Sequence, residues 1–102
     1  AWGEIYLGLK TGVVEAADGP AALLVLERQG DIRLMLTDVV MPGGLDGFEL
    51  AARAQALYPA LRILLATGFA PRTEDVPWPV LRKPYGLEVL SKALRTLLDG
   101  PA

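Results

Sequence analysis

The sequence Ile-Arg-Leu-Met-Leu-Thr-Asp, at residues 32–38, decides the fold prediction. Its first six residues form a short, nearly continuous apolar run, which is typical of a strand covered by helices on both faces. Asp38 ends the run, and the Pro-Gly-Gly sequence at residues 42–44 predicts a loop soon after it. A second apolar run at residues 61–66 is followed by Thr67 and predicts another buried strand of the same kind.

Helical patterns alternate with these strands. Apolar residues recur at helical spacing between Pro20 and Gly30, and proline at the first turn with glycine past the end is the usual punctuation of a helix. A second helix is predicted from an N-cap at Asp46 to about Tyr58. Its expected inward-facing residues are Phe48, Leu50, Ala51, Ala54 and Leu57. A third, amphipathic helix is predicted at residues 87–98.

Shorter segments complete the predicted order. Residues 2–10 carry apolar side chains at helical spacing and predict the end of a helix that stops near Gly12. Residues 13–14 and 80–82 predict short strands. Three prolines within residues 71–79 leave room for at most one helical turn before the last strand. This alternation of strands and helices favours a parallel sheet with helices on both faces.

The composition of the 102-residue chain limits its possible functions. Hydrophobic residues make up 52% of it, which suffices for one buried core, so residues 1–102 are expected to form a single domain. The 10 basic and 12 acidic residues are spread along the chain, which argues against a surface for nucleic acid or anionic membrane. Cysteine and histidine are absent, which excludes disulfides, thiolate chemistry, histidine bases and the usual zinc sites. No apolar run approaches the roughly 20 residues of a membrane span, and we expect a cytoplasmic protein.

Three residues with reactive side chains, Asp38, Thr67 and Lys83, stand at or just after the ends of predicted strands. The carboxyl ends of parallel strands meet at one edge of a sheet, where ligands of such folds bind, so these side chains are expected to lie together. The carboxylate can attack a phosphoryl group, the hydroxyl can donate a hydrogen bond to a phosphoryl oxygen, and the ammonium can neutralise charge. The sequence therefore predicts a site for phosphoryl transfer.

Each of these residues also has an ordinary structural explanation. Asp38 could begin a loop, Thr67 could belong to a turn, and Lys83 could be a solvated lysine before Pro84 and the last helix. Their joint placement at three strand ends is what favours the site. Asp46 is interpreted as a structural N-cap.

Five segments resemble the receiver domain of response regulators and hybrid sensor kinases in bacterial two-component signalling. The segments are Glu15-Ala16-Ala17-Asp18-Gly19, Leu36-Thr37-Asp38-Val39-Val40-Met41-Pro42, Leu45-Asp46-Gly47-Phe48-Glu49, Ala66-Thr67-Gly68 and Leu81-Arg82-Lys83-Pro84-Tyr85. The match covers nearly the whole chain. An aspartate followed by two apolar residues, Met and Pro is specific when Thr-Gly and Lys-Pro follow downstream. The resemblance implies a flavodoxin-like, doubly wound parallel sheet with strand order 2-1-3-4-5.

The resemblance also implies a role for each residue of the predicted site. Asp38 would be the phosphoacceptor, and its carboxylate and the backbone carbonyl of Val40 would be ligands of an octahedral Mg²⁺ ion. Thr67 would be the switch hydroxyl, Lys83 would pair with the phosphoryl group, and the bond between Lys83 and Pro84 would be cis. The phosphoryl donor would be a phosphohistidine on a histidine kinase or a histidine phosphotransfer protein of a phosphorelay. Such a domain promotes its own phosphorylation and is not a conventional turnover enzyme.

The beginning of the chain departs from the family. Receivers open with a strand that ends in two acidic residues, which hold the Mg²⁺, and nothing here matches them. We therefore expect the first strand, which is central in the sheet, to be missing, and each buried backbone group left unpaired to cost about 1–3 kcal/mol. Three explanations are open, in decreasing order of preference: a longer natural chain, a strand supplied by a neighbouring molecule, or a strand instead of a helix at residues 4–9. Glu4 is not expected to be a metal ligand.

Two further departures concern the second half of the chain. The proline-rich passage between Thr67 and Lys83 is short, so the fourth helix is expected to be shortened or absent. Together with the sequence Ala-Thr-Gly-Phe at residues 66–69, this looks like the FAT-GUY subclass of receivers, often found with hybrid histidine kinases. Val80 stands where many receivers carry a switch aromatic. The expected output is therefore a change between order and disorder that begins at Thr67 and extends into the loop after it.

Three functional hypotheses remain open. The first is a phosphoacceptor receiver, either the C-terminal module of a hybrid histidine kinase or a stand-alone response regulator domain. The second is a degenerate receiver that acts, unphosphorylated, as a protein-interaction module, with the helix at residues 87–98 as a docking or homodimer surface. The third is a small hydrolase with an aspartyl-phosphate intermediate, for which a second carboxylate placed as acid or base is lacking.

Overall fold

The computed structural model describes residues 5–8, 13–16, 18–40, 46–68 and 77–99. Within these ranges there are five strands and three helices. The strands are β1 (Ile5–Gly8), β2 (Val13–Ala16), β3 (Leu34–Asp38), β4 (Arg62–Thr67) and β5 (Val80–Arg82). The helices are α1 (Gly19–Arg28), α2 (Gly47–Leu57) and α3 (Leu87–Asp99). Every element predicted after residue 12 is therefore confirmed, with bounds that differ by a residue or two.

The strands form one sheet in the order β2-β1-β3-β4-β5. β3 pairs with β4, and β4 with β5, in the parallel direction. β1 is antiparallel to both of its neighbours, β2 and β3. The flavodoxin-like fold class is confirmed and the strand order is compatible with the predicted one, while the direction of the central strand makes the sheet mixed rather than wholly parallel.

Residues 5–8 occupy the central position of the sheet, although the sequence predicted a helix there. The helix prediction is wrong for this segment, and the structure follows the least favoured of the three explanations, a strand near the start of the chain. Ile5 and Leu7 are fully buried while Tyr6 and Gly8 are half-buried, so the side chains alternate between the two faces as in a strand. By its local sequence alone, such a short apolar segment is compatible with either a helix or a strand. The strand prevails because β2 and β3 present backbone groups on both sides of it, which would otherwise be buried unpaired.

Two aspartates cap the helices that follow. The side chain of Asp46 accepts a hydrogen bond from the Glu49 N–H at 2.8 Å, which confirms its predicted N-cap role for α2. Asp18 caps α1 in the same way, accepting from the Ala21 N–H at 2.8 Å. These caps determine where each helix begins relative to the strand before it.

The main core lies between one face of the sheet and the helices α1 and α2. Its buried members include Ile5, Leu7, Ala22, Leu26, Met35, Leu50, Ala51, Ala54, Ile63 and Leu65. The inward face predicted for α2 is confirmed at Leu50, Ala51 and Ala54, but Leu57 is 64% exposed. Leu57 lines a surface groove with Leu23 and Leu24 of α1, because the end of α2 faces α1 there rather than the sheet.

Helix α3 covers the opposite face. Leu64 and Ala66 of β4 are buried but lie outside the core cluster beneath α1 and α2, as alternate positions of a strand should. Arg62, on the same side of β4, donates from Nη1 to the backbone carbonyl of Leu97 in α3 at 2.9 Å. The sheet is therefore covered by helices on both faces, as predicted. In the part of the chain that the structure describes, no helix is both long and apolar enough to span a membrane.

Some predictions fall on residues outside the described ranges. The shortened or absent fourth helix was predicted from the passage that contains residues 69–76, and the Met-Pro pair that follows Asp38 in the resemblance occupies residues 41–42. Glu4, weighed as a metal ligand, also lies outside the described residues. These points, and the assignment of residues 1–102 to one domain, stay predictions.

Candidate functional site

The predicted site residues lie at one edge of the sheet, where β3, β4 and β5 end. Asp38 is the last residue of β3, Thr67 is the last residue of β4, and Lys83 directly follows β5. The parallel register places Asp38 beside Ala66 and Thr67 beside Arg82. The structure therefore brings the carboxylate, the hydroxyl and the ammonium to the same edge, because these strands are parallel neighbours.

Asp38 and Lys83 form an ion pair. Lys83 Nζ lies 2.8 Å from Asp38 Oδ1, a short distance typical of a charge-assisted hydrogen bond. The side chain of Asp38 is 9% exposed and that of Lys83 is 35% exposed. A carboxylate this sheltered requires compensation of its charge, and the ammonium provides it from the solvent side. The peptide bond between Lys83 and Pro84 is cis, as the resemblance implied.

Thr67 is tied to the lysine through the backbone. Its carbonyl accepts a hydrogen bond from the Lys83 N–H at 2.8 Å, which continues the pairing of β4 and β5 beyond the end of β5. Thr67 is 4% exposed. The pairing of β4 and β5 thus determines the position of Thr67 relative to Lys83.

Three hydrogen bonds hold the backbone of Asp38 and Val39. The Val39 N–H donates to the Ala66 carbonyl of β4 at 2.9 Å, and the Gly47 N–H of α2 donates to the Val39 carbonyl at 2.7 Å. The hydroxyl of Thr37, which is fully buried, donates to the Asp38 carbonyl at 3.0 Å. Strand β4, helix α2 and the preceding residue of β3 together fix the backbone from which the carboxylate projects.

The contributions of Thr37 and Gly47 were not predicted from the sequence. Thr37 belongs to an apolar run and to a segment that resembles receivers, but nothing local distinguishes its hydroxyl from that of any strand threonine. Gly47 carries a signal, because it is a glycine directly after an N-cap, where glycine has no advantage for helix formation. Such a glycine indicates a close approach of another backbone, which in this structure is that of Asp38 and Val39.

Two of the groups that the resemblance implies as Mg²⁺ ligands belong to described residues. Asp38 offers a carboxylate, of which Oδ1 already contacts Lys83, and Val40 offers a backbone carbonyl two residues later. Across the described ranges, no group of three or more acidic or other metal-binding side chains could hold a metal ion. Mg²⁺ requires near-octahedral coordination by oxygen. These two groups do not complete such a site.

Known proteins that are similar to this chain include a response regulator receiver protein and a two-component regulator of known structure. The response regulator receiver protein CpdR of Brucella abortus (strain 2308) is 42% identical over an alignment of 71 residues. That alignment covers 64% of this chain and 58% of the length of CpdR. The crystal structure of a two component transcriptional regulator AraC from Clostridium phytofermentans ISDg matches with a TM-score of 0.62 and 26% identity, covering 80% of this chain and 68% of that chain. No family model matches the sequence.

Proposed function

We propose, on the premise that this chain is a receiver domain of the response-regulator type, that it takes up a phosphoryl group on the carboxylate of Asp38. The observation that carries the proposal is the ion pair of 2.8 Å between Asp38 and Lys83 at the strand ends, with Thr67 ending the strand between them. The similarity to CpdR and to a two-component regulator supports a role in two-component signalling.

The chemistry follows from the three functional groups. One carboxylate oxygen of Asp38 attacks the phosphorus of a phosphohistidine, the P–O bond of an acyl phosphate forms, and the P–N bond breaks. The electron pair of that bond returns to the donor imidazole, which takes up a proton. Lys83 is placed to neutralise the charge of the incoming group, and the hydroxyl of Thr67 to donate a hydrogen bond to a phosphoryl oxygen.

The phosphoryl donor comes from outside these residues, since the chain contains no histidine. We propose a histidine kinase or a histidine phosphotransfer protein as the donor, within a phosphorelay. Phosphorylation of Asp38 adds negative charge beside Lys83 and Thr67, and this change is the proposed signal that alters a protein-interaction surface.

Magnesium is part of the proposal as a requirement to be tested. Phosphoryl-transfer proteins use it to neutralise charge on the phosphoryl oxygens. This chain would offer the Asp38 carboxylate and the Val40 carbonyl, and water or phosphoryl oxygens would complete the shell.

The test is the intact mass of the purified chain before and after incubation with acetyl phosphate, with and without Mg²⁺. We expect the unaltered chain to gain one phosphoryl group that is labile in base, and Asp38→Asn to gain none. Asp46→Asn is the matched control, because it makes the same chemical change at the edge of the loop and keeps an N-cap of equal quality. Uptake by Asp38→Asn at the level of the unaltered chain would refute the site.

A second candidate is a degenerate receiver that binds partners without being phosphorylated. It is favoured by the incomplete metal site among the described residues. Helix α3, on which Leu87, Val89 and Leu98 are exposed, would supply its docking or homodimer surface. Failure of the unaltered chain to gain a phosphoryl group in the presence of Mg²⁺ would favour this candidate over the first.

A further inference from the structure

Gly47 lies directly against the backbone of the proposed phosphoacceptor. It is the buried first residue of α2, and its N–H donates to the Val39 carbonyl. A Cβ at this position would lie 2.8 Å from the Cα of Val39 and 2.9 Å from the carbonyl carbon of Asp38. These are backbone atoms, which cannot turn aside as the end of a flexible side chain can. A side chain at residue 47 therefore requires either α2 or the Asp38 peptide to move.

Four other described glycines show no such close approach. Gly30, Gly68 and Gly86 have nothing within 4 Å of the place where a Cβ would stand, and at Gly8 the nearest atom is at 3.4 Å. None of these described glycines has a left-handed backbone conformation, and neither does Gly47. The contact with Asp38 and Val39, rather than a backbone angle, is therefore what requires glycine at residue 47.

We propose that Gly47 is a positioning residue for phosphoryl transfer, because its lack of a side chain lets α2 fix the Asp38 peptide where the carboxylate meets Lys83. The inference rests on the function proposed above. The peptide cannot yield easily in the opposite direction, since the Thr37 hydroxyl binds the Asp38 carbonyl and β4 binds the Val39 N–H. A Cβ at residue 47 is thus expected to displace the carboxylate itself.

The test measures the rate of phosphoryl uptake from acetyl phosphate over a range of donor concentrations. In Gly47→Ala we expect the maximum rate to fall by about 10- to 100-fold, which is the effect of misplacing a reacting group by a fraction of an ångström to about 1 Å. The donor concentration that gives half of the maximum rate should stay unchanged, because Gly47 acts through Asp38 and does not contact the donor. Gly30→Ala is the matched control and should keep the rate of the unaltered chain.

A separate variant distinguishes positioning from general loosening of α2. Asp46→Ala removes the cap of the same helix without adding an atom near Asp38, so it should lower the thermal midpoint and leave the maximum rate unchanged. Gly47→Ala should be slow even well below its own thermal midpoint. Its amide NMR signals for Asp38 and Val39 should shift, while those of α1 should not.

The outcomes separate this inference from the proposed function. No uptake by the unaltered chain overturns the function, whereas a folded Gly47→Ala with the unaltered maximum rate overturns only the positioning role. If Gly47→Ala does not fold, Thr37→Val tests the same peptide from the other side, by removing the hydroxyl that binds the Asp38 carbonyl without adding volume. A several-fold lower maximum rate in Thr37→Val is then expected, and an unchanged rate overturns the inference.

Discussion

Replacing Lys83 by methionine is expected to destabilise the folded chain more than replacing Asp38 by asparagine, although both changes break the same ion pair. The reason is the unequal exposure of the partners. Lys83→Met leaves a carboxylate that is 9% exposed without its ammonium. Asp38→Asn leaves an ammonium that is 35% exposed and that water can solvate. The amide oxygen of the new asparagine can still accept a hydrogen bond from this ammonium.

The magnitudes follow from the same exposures. Losing one partner of a fully buried pair costs about 3–5 kcal/mol, and a hydrogen bond to a charged group contributes about 1.5–3 kcal/mol. Since water reaches Lys83, we expect Lys83→Met to cost about 2 kcal/mol, in the lower part of these ranges. Asp38→Asn resembles the loss of an exposed pair and should cost about 0–1 kcal/mol.

The assay is urea unfolding followed by circular dichroism at constant pH and salt. With a slope of about 1–3 kcal/mol per molar urea for a domain of this size, Lys83→Met should lower the midpoint by on the order of 1 M. The double variant should be more stable than the sum of the two single losses predicts, because the second change removes the carboxylate charge whose ammonium the first change removed. Equal losses in the two single variants, or strict additivity in the double variant, would refute the reasoning.

Two further outcomes are expected. Thr67→Val should retain uptake of the phosphoryl group on Asp38 but lose the accompanying change in the amide NMR signals of Gly68 and Lys83. Thr67→Ser keeps the hydroxyl and should preserve that change. An undiminished change in the valine variant would exclude the switch role. Gln55→Ala should lower the free energy of unfolding in urea by about 1–3 kcal/mol. The reason is that Gln55 Nε2 contacts the carbonyls of residues 58, 59 and 61 at 3.0–3.3 Å, and Gln55 Oε1 accepts a hydrogen bond from the Trp78 indole at 3.2 Å. In a Trp2→Phe background, the fluorescence of Trp78 should shift to the red in this variant, and an unchanged spectrum would contradict that contact.

Much of the fold could be predicted because its signals are local. The apolar runs that became β3 and β4, the cap at Asp46 and the helical spacing at residues 87–98 each depend on neighbours within a few positions in the chain. Leu57 shows the limit of such patterns. Its spacing suited an inward face, but whether that side of α2 meets the sheet or only α1 depends on how the two helices are placed.

The sequence by itself determined that a carboxylate, a hydroxyl and an ammonium would meet at one edge. Asp38, Thr67 and Lys83 stand at or just after the ends of three apolar strands, and the alternation of strands and helices along the chain favours parallel pairing of those strands. Only the tertiary structure decided that residues 5–8 form an antiparallel central strand, and that Gly47 lies against the backbone of Asp38 and Val39. The physical reason is the same in both cases. Strand pairing and close backbone contact each involve two segments that are distant in sequence. The local sequence pattern of one segment does not indicate where the other segment will lie.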